Sequence, residues 1–158
     1  MTAKTPVVVS VEPFRQVWPE VDGLGREHFA EVDGGVEARR SYHVDADALA
    51  RMCNAGILRI ITARNAGALV GYLSWQLSLD VESKNLLIAQ QGAWFLQPGY
   101  PGVALKMFEK STSYLRSLGV QCIFPHHRLQ GRGAALGKFF RRRGAKAIQQ
   151  TYSLWIGE

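Results

Sequence analysis

The stretch that decides the fold is residues 94–109, WFLQPGYPGVALKMFE. An apolar run typical of a strand leads into two prolines and two glycines within residues 97–102, and a helical spacing of apolar residues follows. A helix that begins near Gly102 has unpaired N–H groups and the positive end of its dipole at this corner. Gly99, Gly102 and Ala104 leave that backbone accessible. The corner therefore predicts either an ordinary turn or a phosphate-binding site made of backbone amides.

The elements around this corner predict an α/β (α+β) domain. Residues 11–33 are interrupted by two glycines and predict one or two short helices, and residues 45–56 a helix capped by Asp45. Runs rich in β-branched and aromatic residues predict two strands joined by a hairpin turn, NAGA, and three further strands. The predicted strands are residues 57–64, 69–79, 85–97, 120–124 and 147–156, and the later helices are residues 102–118 and 134–144. This order indicates a mixed sheet with helices on its faces.

Composition and charge narrow the functional class. The chain has 158 residues, 47% of them hydrophobic, which suits one domain with a sizeable core. It shows no signal-peptide pattern and no apolar run long enough for a bilayer, and it has only two cysteines; we therefore expect a cytoplasmic protein without a membrane partner. Residues 97–158 hold ten Lys or Arg against two acids, whereas residues 1–96 hold nine against eleven. The basic half predicts an anionic partner, namely nucleic acid, an anionic surface or a phosphate-bearing cofactor, unless it is simply a solvated face.

Three segments together resemble a known family. They are ARNAGALVGYLSW (residues 63–75), AWFLQPGYPGVALKMFEKSTSYLRSLGV (93–120) and GKFFRRRGAKAIQQTYSLWI (137–156). They resemble the GNAT superfamily of acetyl-CoA-dependent N-acetyltransferases, and more narrowly the small acetyltransferases of tailed phages. The resemblance implies a mixed, mostly antiparallel sheet flanked by helices on both faces. It also implies one acetyltransferase-like domain, residues 1–158, in which residues 1–44 form the acceptor side and residues 45–158 bind acetyl-CoA.

The resemblance also implies which residues bind the co-substrate. The family's pyrophosphate loop, Gln/Arg-x-x-Gly-x-Gly/Ala, corresponds to residues 99–104, where the fourth and sixth positions match and the first is Gly99 rather than a basic or amide residue. Lys106 and Lys138 are expected to supply positive charge for the phosphates, and backbone groups of the fourth strand are expected to hold the thioester. The implied cofactor-binding residues are Trp94, Phe95, Leu96, Gly99, Tyr100, Pro101, Gly102, Val103, Ala104, Lys106 and Lys138.

The residues for proton transfer depart from the family pattern. Where several members carry a glutamate base this chain has Gln90 and Gln91, and Phe140 stands where many members have a tyrosine that protonates the leaving thiolate. The substitutes that we consider are Tyr152 for the tyrosine and Glu82 or His127 for the base, each of which also has an ordinary packing or surface interpretation. A water-mediated proton path is the further alternative.

The leading hypothesis is an N-acetyltransferase that transfers the acetyl group of acetyl-CoA to a primary amine of a protein or small molecule. Its alternatives are a catalytically idle GNAT-like protein that binds CoA or a partner, and a basic nucleic-acid-binding module, for which no helix-turn-helix, RRM or KH signature is present. The sequence contains no HExxH or CxxC pattern, so we expect no metal. The oligomeric state is left open between monomer and homodimer.

Overall fold

The computed structural model describes residues 6–33, 41–127 and 133–149. The residues up to Phe124 form one compact unit and those from Pro125 onward form a second. The elements in chain order are β1 (Val8–Val11), α1 (Phe14–Asp33), α2 (Ala46–Asn54), β2 (Leu58–Asn65), β3 (Ala68–Leu79), β4 (Leu87–Leu96), α3 (Val103–Ser117), β5 (Cys122–Phe124) and α4 (Gly133–Arg142).

The five strands form one sheet in the order β1-β2-β3-β4-β5. The first three pairings are antiparallel, and β4 pairs with β5 in parallel. The β2–β3 connection is the expected tight hairpin, with positive φ at Ala66 (49°) and Gly67 (86°) as a two-residue turn of the primed type requires. The predicted mixed, mostly antiparallel sheet is confirmed.

Helices cover both faces of this sheet. Phe95 of β4 belongs to the buried cluster that α1 and α2 form with β2 and β3. Trp94, its neighbour along β4, stacks on Phe108 of α3 with ring centroids 6.2 Å apart. Because successive side chains of a strand point to opposite faces, α3 lies on the face opposite to α1 and α2. The layers are therefore α1 and α2, the sheet, and α3.

The N-terminal region differs from the prediction. Residues 14–33 form one helix of 20 residues despite Pro19 and two glycines. Its apolar stripe is buried against the sheet, and this tertiary packing outweighs the low helix propensity of those residues. The buried residues of the stripe are Phe14, Val17, Val21 and Leu24. The strand β1, which the sequence analysis did not predict, precedes this helix and pairs with β2 from Val8↔Arg64 to Val11↔Ile61.

An ion-pair network fixes the start of α1 to the sheet. The Nε of Arg64 on β2 donates to Glu12 at 2.9 Å, and its Nη atoms donate to Glu20 of α1 at 2.8 and 2.9 Å. The hydroxyl of Thr62 also bonds Glu12. These bonds lower the pKa of Glu12 even though its partial burial acts in the opposite direction, and the hydrogen bonds of Arg64 lower the pKa of Glu20.

In the second unit, α4 ends with Arg141 and Arg142 in its last turn, where positive charge suits the helix dipole. Residues 145–149 are exposed and lie in no helix or strand. The strand predicted for residues 147–156 is not formed at residues 147–149, and its remainder lies outside the described residues.

Candidate functional site

The corner between β4 and α3 is a type II turn that ends in a helix N-terminus. The N–H of Val103 donates to the carbonyl of Tyr100 at 3.3 Å, which closes the turn around Pro101 and Gly102. Gly102 has φ 78° and ψ −12°, the values of the third turn position, where a side chain is strained. Proline is favoured at the second position because its φ is already fixed. The Pro-Gly pair therefore sets the direction in which α3 leaves the sheet.

The first turn of α3 has the properties of an anion site. Its N-cap residue, Gly102, provides no side-chain cap, and the first intrahelical bond is donated by Lys106 to the carbonyl of Gly102. The amides of Ala104 and Leu105 precede that bond at the positive end of the helix dipole. A Cβ built on Gly99 or Gly102 would meet no atom within 4 Å, so the backbone faces open space. Residues 99–104 therefore fit a phosphate group, with the exposed side chain of Lys106 in the same turn.

Beside this turn, β4 extends beyond its pairing with β5. The parallel pairing covers Ile88 to Gln90. Phe95 is paired with Tyr72 of β3, and Gln97 donates its N–H to Val70 of β3 at 2.9 Å. In an antiparallel ladder, the N–H and C=O groups of successive residues point alternately to the two neighbouring strands. Because those of Phe95 and Gln97 point to β3, those of Trp94 and Leu96 point toward the β5 side. Of the three residues predicted to hold the thioester, Trp94 and Leu96 direct their main chain toward the β5 side, whereas the main chain of Phe95 faces β3.

A bulge interrupts β4 immediately before these residues. Leu73 is opposite Trp94 but Trp75 is opposite Gln91, so Gly92 and Ala93 together face the single residue Ser74. The N–H of Ala93 donates to the hydroxyl of Ser74 at 2.8 Å. Such bulges reorient the strand that follows them.

On the other face of β4, α1 contributes a histidine to an aromatic group. The Nδ1 of His28 lies 3.0 Å from the hydroxyl of Tyr72, and its ring stacks on Phe95 with centroids 5.2 Å apart. Burial raises the pKa of the Tyr72 phenol, which therefore stays protonated at neutral pH. His28 is thus a ring with acid–base chemistry, held against the segment of β4 in which Trp94 and Leu96 direct their main chain toward the β5 side.

The same end of α1 is polar. Glu27 accepts a hydrogen bond from Gln97, the first residue after β4, at 3.1 Å. Tyr42 donates its hydroxyl to Asp22 at 3.1 Å; burial, followed by this bond, raises the pKa of Tyr42 to about 12. Arg26 pairs with Asp22 at 3.1 Å and lies 4.9 Å from the centre of the Tyr42 ring. Glu27 therefore places a negative charge at the end of β4 on the α1 side, where a cationic amine would be attracted.

The residues predicted for proton transfer lie elsewhere. Glu82 is in the β3–β4 turn, separated from the bulge by the length of β4 from Leu87 to Ala93, about 20 Å at 3.3 Å per residue. Glu82 therefore lies beyond hydrogen-bond reach of a group at the bulge, and its role as a base stays a prediction. Tyr152 lies outside the described residues.

Two predicted residues belong to the second unit. The ring of His127 packs against α4 at Gly137, where a Cβ would lie only 2.5 Å from the Nε2 of His127. The centroid of the same ring is 6.4 Å from that of the Phe140 ring. This arrangement gives His127 a packing role within its own unit. Lys138 is exposed on α4.

The two glutamines at the family's glutamate position differ in surroundings. Gln90 is exposed and pairs with Gln76, whereas Gln91 is buried opposite Trp75. Neither side chain can act as a base, so any base comes from another element.

Sequence reasoning missed two residues of this site. His28 continues the buried 17-21-24 spacing of α1, and a titratable residue at the next position of an apolar stripe is the signal that could have found it. Ser74 has no such local signal because its partner, Ala93, is 19 positions away. Within the described ranges, no group of three or more metal-ligating side chains is present. In those same ranges, no helix has the length and apolarity needed to cross a membrane.

Of three comparisons with known proteins, the search of solved structures found chains with a similar fold. A scan against protein-family models and a search of curated protein sequences gave no match. Among solved structures, the aminoglycoside acetyltransferase HMB0005 from an uncultured soil metagenomic sample matches with a TM-score of 0.76 and 14% identity, over 96% of this chain and 99% of that chain. The ribosomal-protein-alanine N-acetyltransferase of Brucella melitensis biovar Abortus 2308 matches with a TM-score of 0.67 and 14% identity, over 96% and 100%.

A third structure contains a co-substrate analogue. AAC(6′)-Iy in complex with the bisubstrate analog CoA-S-monomethyl-acetylneamine matches with a TM-score of 0.69 and 12% identity, over 96% of this chain and 98% of that chain. These likenesses establish that the chain has the fold of the GNAT N-acetyltransferases, which confirms the fold that the sequence resemblance implied.

Proposed function

We propose that this chain, which has the fold of the GNAT N-acetyltransferases, transfers the acetyl group of acetyl-CoA to a primary amine. The observation that carries the proposal is the joint presence of a bare helix N-terminus after β4 and of β4 main chain that extends past β5. The first suits a pyrophosphate and the second an extended pantetheine arm beside a thioester. The acetyltransferases among the similar structures, one of them holding a CoA-containing analogue, support this assignment.

In this proposal the co-substrate contacts are mainly main-chain contacts. The amides of Ala104 and Leu105 donate to the pyrophosphate, and Lys106 adds a positive charge in the same turn. The backbone of Trp94 and Leu96 runs beside the pantetheine and the thioester. Lys138 stays a prediction for the remaining phosphate. Residues 1–44 serve the acceptor side and residues 45–158 the acetyl-CoA side of one domain.

The acceptor amine enters on the α1 face of β4. Alkyl ammonium groups have a pKa of about 10, so the amine must lose a proton before it attacks. His28 accepts this proton, directly or through one water, while its Nδ1 is held by Tyr72. The neutral amine then attacks the thioester carbonyl, the N–C bond forms and the C–S bond breaks. The attacking nitrogen loses a second proton to solvent, and the thiolate takes the proton that His28 removed from the ammonium group. His28 replaces Glu82 in this role; His127 and Tyr152 stay untested predictions.

Further parts of the proposal follow from charge and composition. The acceptor is a cationic amine, on a small molecule or on a protein lysine or N-terminus, because Glu27 lies beside the end of β4 on the α1 side. The protein acts in the cytoplasm, of the host cell if a phage encodes it, and as a monomer or homodimer.

A second candidate function is a GNAT-like protein that binds CoA without catalysis. Two observations favour it. Phe140 stands where the resemblance implies a tyrosine acid. In the described ranges, Glu82 is also remote from the bulge. The basic half of the chain keeps nucleic-acid binding as a third outcome to be measured.

Two titrations and one assay separate these functions. We expect acetyl-CoA to raise the melting temperature and bind in a calorimetric titration, and duplex DNA to do neither. We then expect release of free CoA thiol when amines are added, from polyamines and aminoglycosides to lysine peptides. Binding without release would indicate the idle protein, and DNA binding without CoA binding would refute the enzyme.

The role of His28 has its own test. His28→Gln should slow acetyl transfer by about a hundredfold to ten-thousandfold and leave CoA affinity unchanged, as expected for loss of a general base. The matched control is His43→Gln, an exposed histidine of the segment before α2, which should change neither quantity. Equal rates for the two variants would exclude His28 as the proton acceptor.

A further inference from the structure

The bulge in β4 is held by one side chain of the neighbouring strand. The hydroxyl of Ser74 accepts the N–H of Ala93 at 2.8 Å and lies 3.4 Å from the carbonyl oxygen of the same residue. It thus satisfies the main chain that the bulge removes from the regular ladder. Residue 92 must be glycine for this contact, since a Cβ there would lie 2.5 Å from the Ser74 oxygen. Ser74 and Gly92 therefore form a matched pair that fixes the bulge.

The bulge decides which residues of β4 direct their main chain toward the β5 side. Before it, the N–H of Asp80 donates to Leu86, in the register that pairs Gln76 with Gln90; after it, Gln97 donates to Val70, in the register that pairs Tyr72 with Phe95. The residues of this strand that are hydrogen-bonded to β3 therefore change from even to odd. In a regular strand, Trp94 and Leu96 would keep the even register and turn their main chain toward β3. The extra residue reverses this, so that these two residues direct their main chain toward the β5 side.

The side chains follow the same change. With the bulge, Phe95 lies on the α1 face, stacked on His28, and Trp94 lies on the α3 face, stacked on Phe108. A slip of one residue would exchange the two faces. The bulge therefore fixes both the direction of the Trp94 and Leu96 main chain and the stacking of Phe95 on the His28 ring.

We propose that Ser74 is a positioning residue for acetyl transfer, holding the β4 bulge so that the main chain beyond it is aligned with the thioester. This inference rests on the proposed function. Ser74 touches neither the amine nor the co-substrate in this account, and it acts only through Ala93 and the strand that follows. A loss of alignment of about 1 Å is enough to lower the rate of a positioned reaction by up to about a hundredfold.

The test compares Ser74→Ala with Ser74→Thr, which keeps the hydroxyl, and with Ser78→Ala, the same change at an exposed position of β3 remote from the bulge. We expect Ser74→Ala to lower kcat by about tenfold to a hundredfold with CoA affinity within about threefold of the wild type. Ser74→Thr should recover most of the rate, and Ser78→Ala should have no effect. Amide hydrogen exchange at Ala93 should be faster in Ser74→Ala alone.

The outcomes separate the two levels of the proposal. A wild-type protein that transfers no acetyl group would refute the proposed function, and exchange at Ala93 would still decide whether Ser74 holds the bulge. A wild-type protein that is active, with Ser74→Ala equally active, would refute the Ser74 inference alone. A fall in kcat that matches the fraction of unfolded protein, or that Ser74→Thr does not recover, would also overturn it.

Discussion

The turn at the start of α3 permits a sharp prediction from two glycines. Gly102 at the start of the helix and Gly119 after its end both have positive φ, 78° and 86°, and a Cβ on either would meet nothing within 4 Å. Gly102→Ala and Gly119→Ala therefore impose the same backbone strain without a steric clash. They differ in place, because α3 has 15 residues and separates them by about 22 Å at 1.5 Å per residue.

The size of the strain follows from the left-handed conformation. An alanine in that region costs about 1–2 kcal/mol relative to glycine. Each variant should therefore lose about this much free energy of unfolding, which corresponds to a melting temperature lower by about 2–8 °C for a chain of this size. Only Gly102→Ala also puts a methyl group into the open space where we propose that the pyrophosphate lies.

The assay is a thermal unfolding curve followed by a calorimetric titration with CoA, for both variants and the wild type. We expect similar losses of stability, a CoA affinity at least about tenfold weaker in Gly102→Ala, and an unchanged affinity in Gly119→Ala; tenfold corresponds to about 1.4 kcal/mol. Equal CoA affinities in the two variants would refute the placement of the phosphates at this turn. A larger loss of affinity in Gly119→Ala would refute it as well.

Two further predictions concern the charged and reactive groups. Arg64→Met should lower the free energy of unfolding at pH 7 by about 1–2 kcal/mol. This difference from the wild type should shrink below pH 4.5, because the ion pairs that lower the pKa values of Glu12 and Glu20 stabilise the fold only while both carboxylates are ionised. Urea unfolding of both proteins at pH 7 and at about pH 3.5 measures the difference, and the same difference at both pH values would contradict the prediction. Burial raises the pKa of the Cys53 thiol, so in a Cys122→Ser background a disulfide reagent should react more slowly with native than with urea-unfolded protein, and equal rates would contradict it.

Local signals in the sequence were sufficient to predict the turn and the helix that follow β4. Pro101 and Gly102 at the start of α3, and Gly119 at its end, predicted residues 102–118, and the helix spans Val103–Ser117. The hairpin turn and Asp45, whose side chain accepts the N–H of Ala48 at 2.8 Å, were equally local and are confirmed. Turns and caps can be predicted from a single sequence because a few adjacent residues determine them.

Features that depend on residues distant in the sequence could not be predicted from the sequence alone. The strand β1 has four residues and gains its stability by pairing with β2, fifty or more positions away. The continuity of α1 depends on a stripe packed against the sheet, which outweighs Pro19 and the two glycines. The pair of His28 and Tyr72 joins residues 44 positions apart. Tertiary context decides each of these, and a single sequence gives no register between distant strands.

The arrangement of the acceptor side depends on contacts between distant parts of the chain. Glu82 is close to β4 in the sequence, yet the length of β4 separates it from the bulge by about 20 Å. The structure instead brings α1 to that face of β4, with His28 stacked on Phe95.

The central claim is catalysis of acetyl transfer to an amine, and amine-dependent release of CoA thiol tests it most directly. With purified full-length protein and acetyl-CoA, we expect thiol release that requires an added amine, saturates with it and yields the N-acetylated product by mass spectrometry. We expect His43→Gln to behave like the wild type and His28→Gln to be slower by about a hundredfold or more. Tight CoA binding without thiol release for any amine, cationic or neutral, small or peptidic, would contradict the claim.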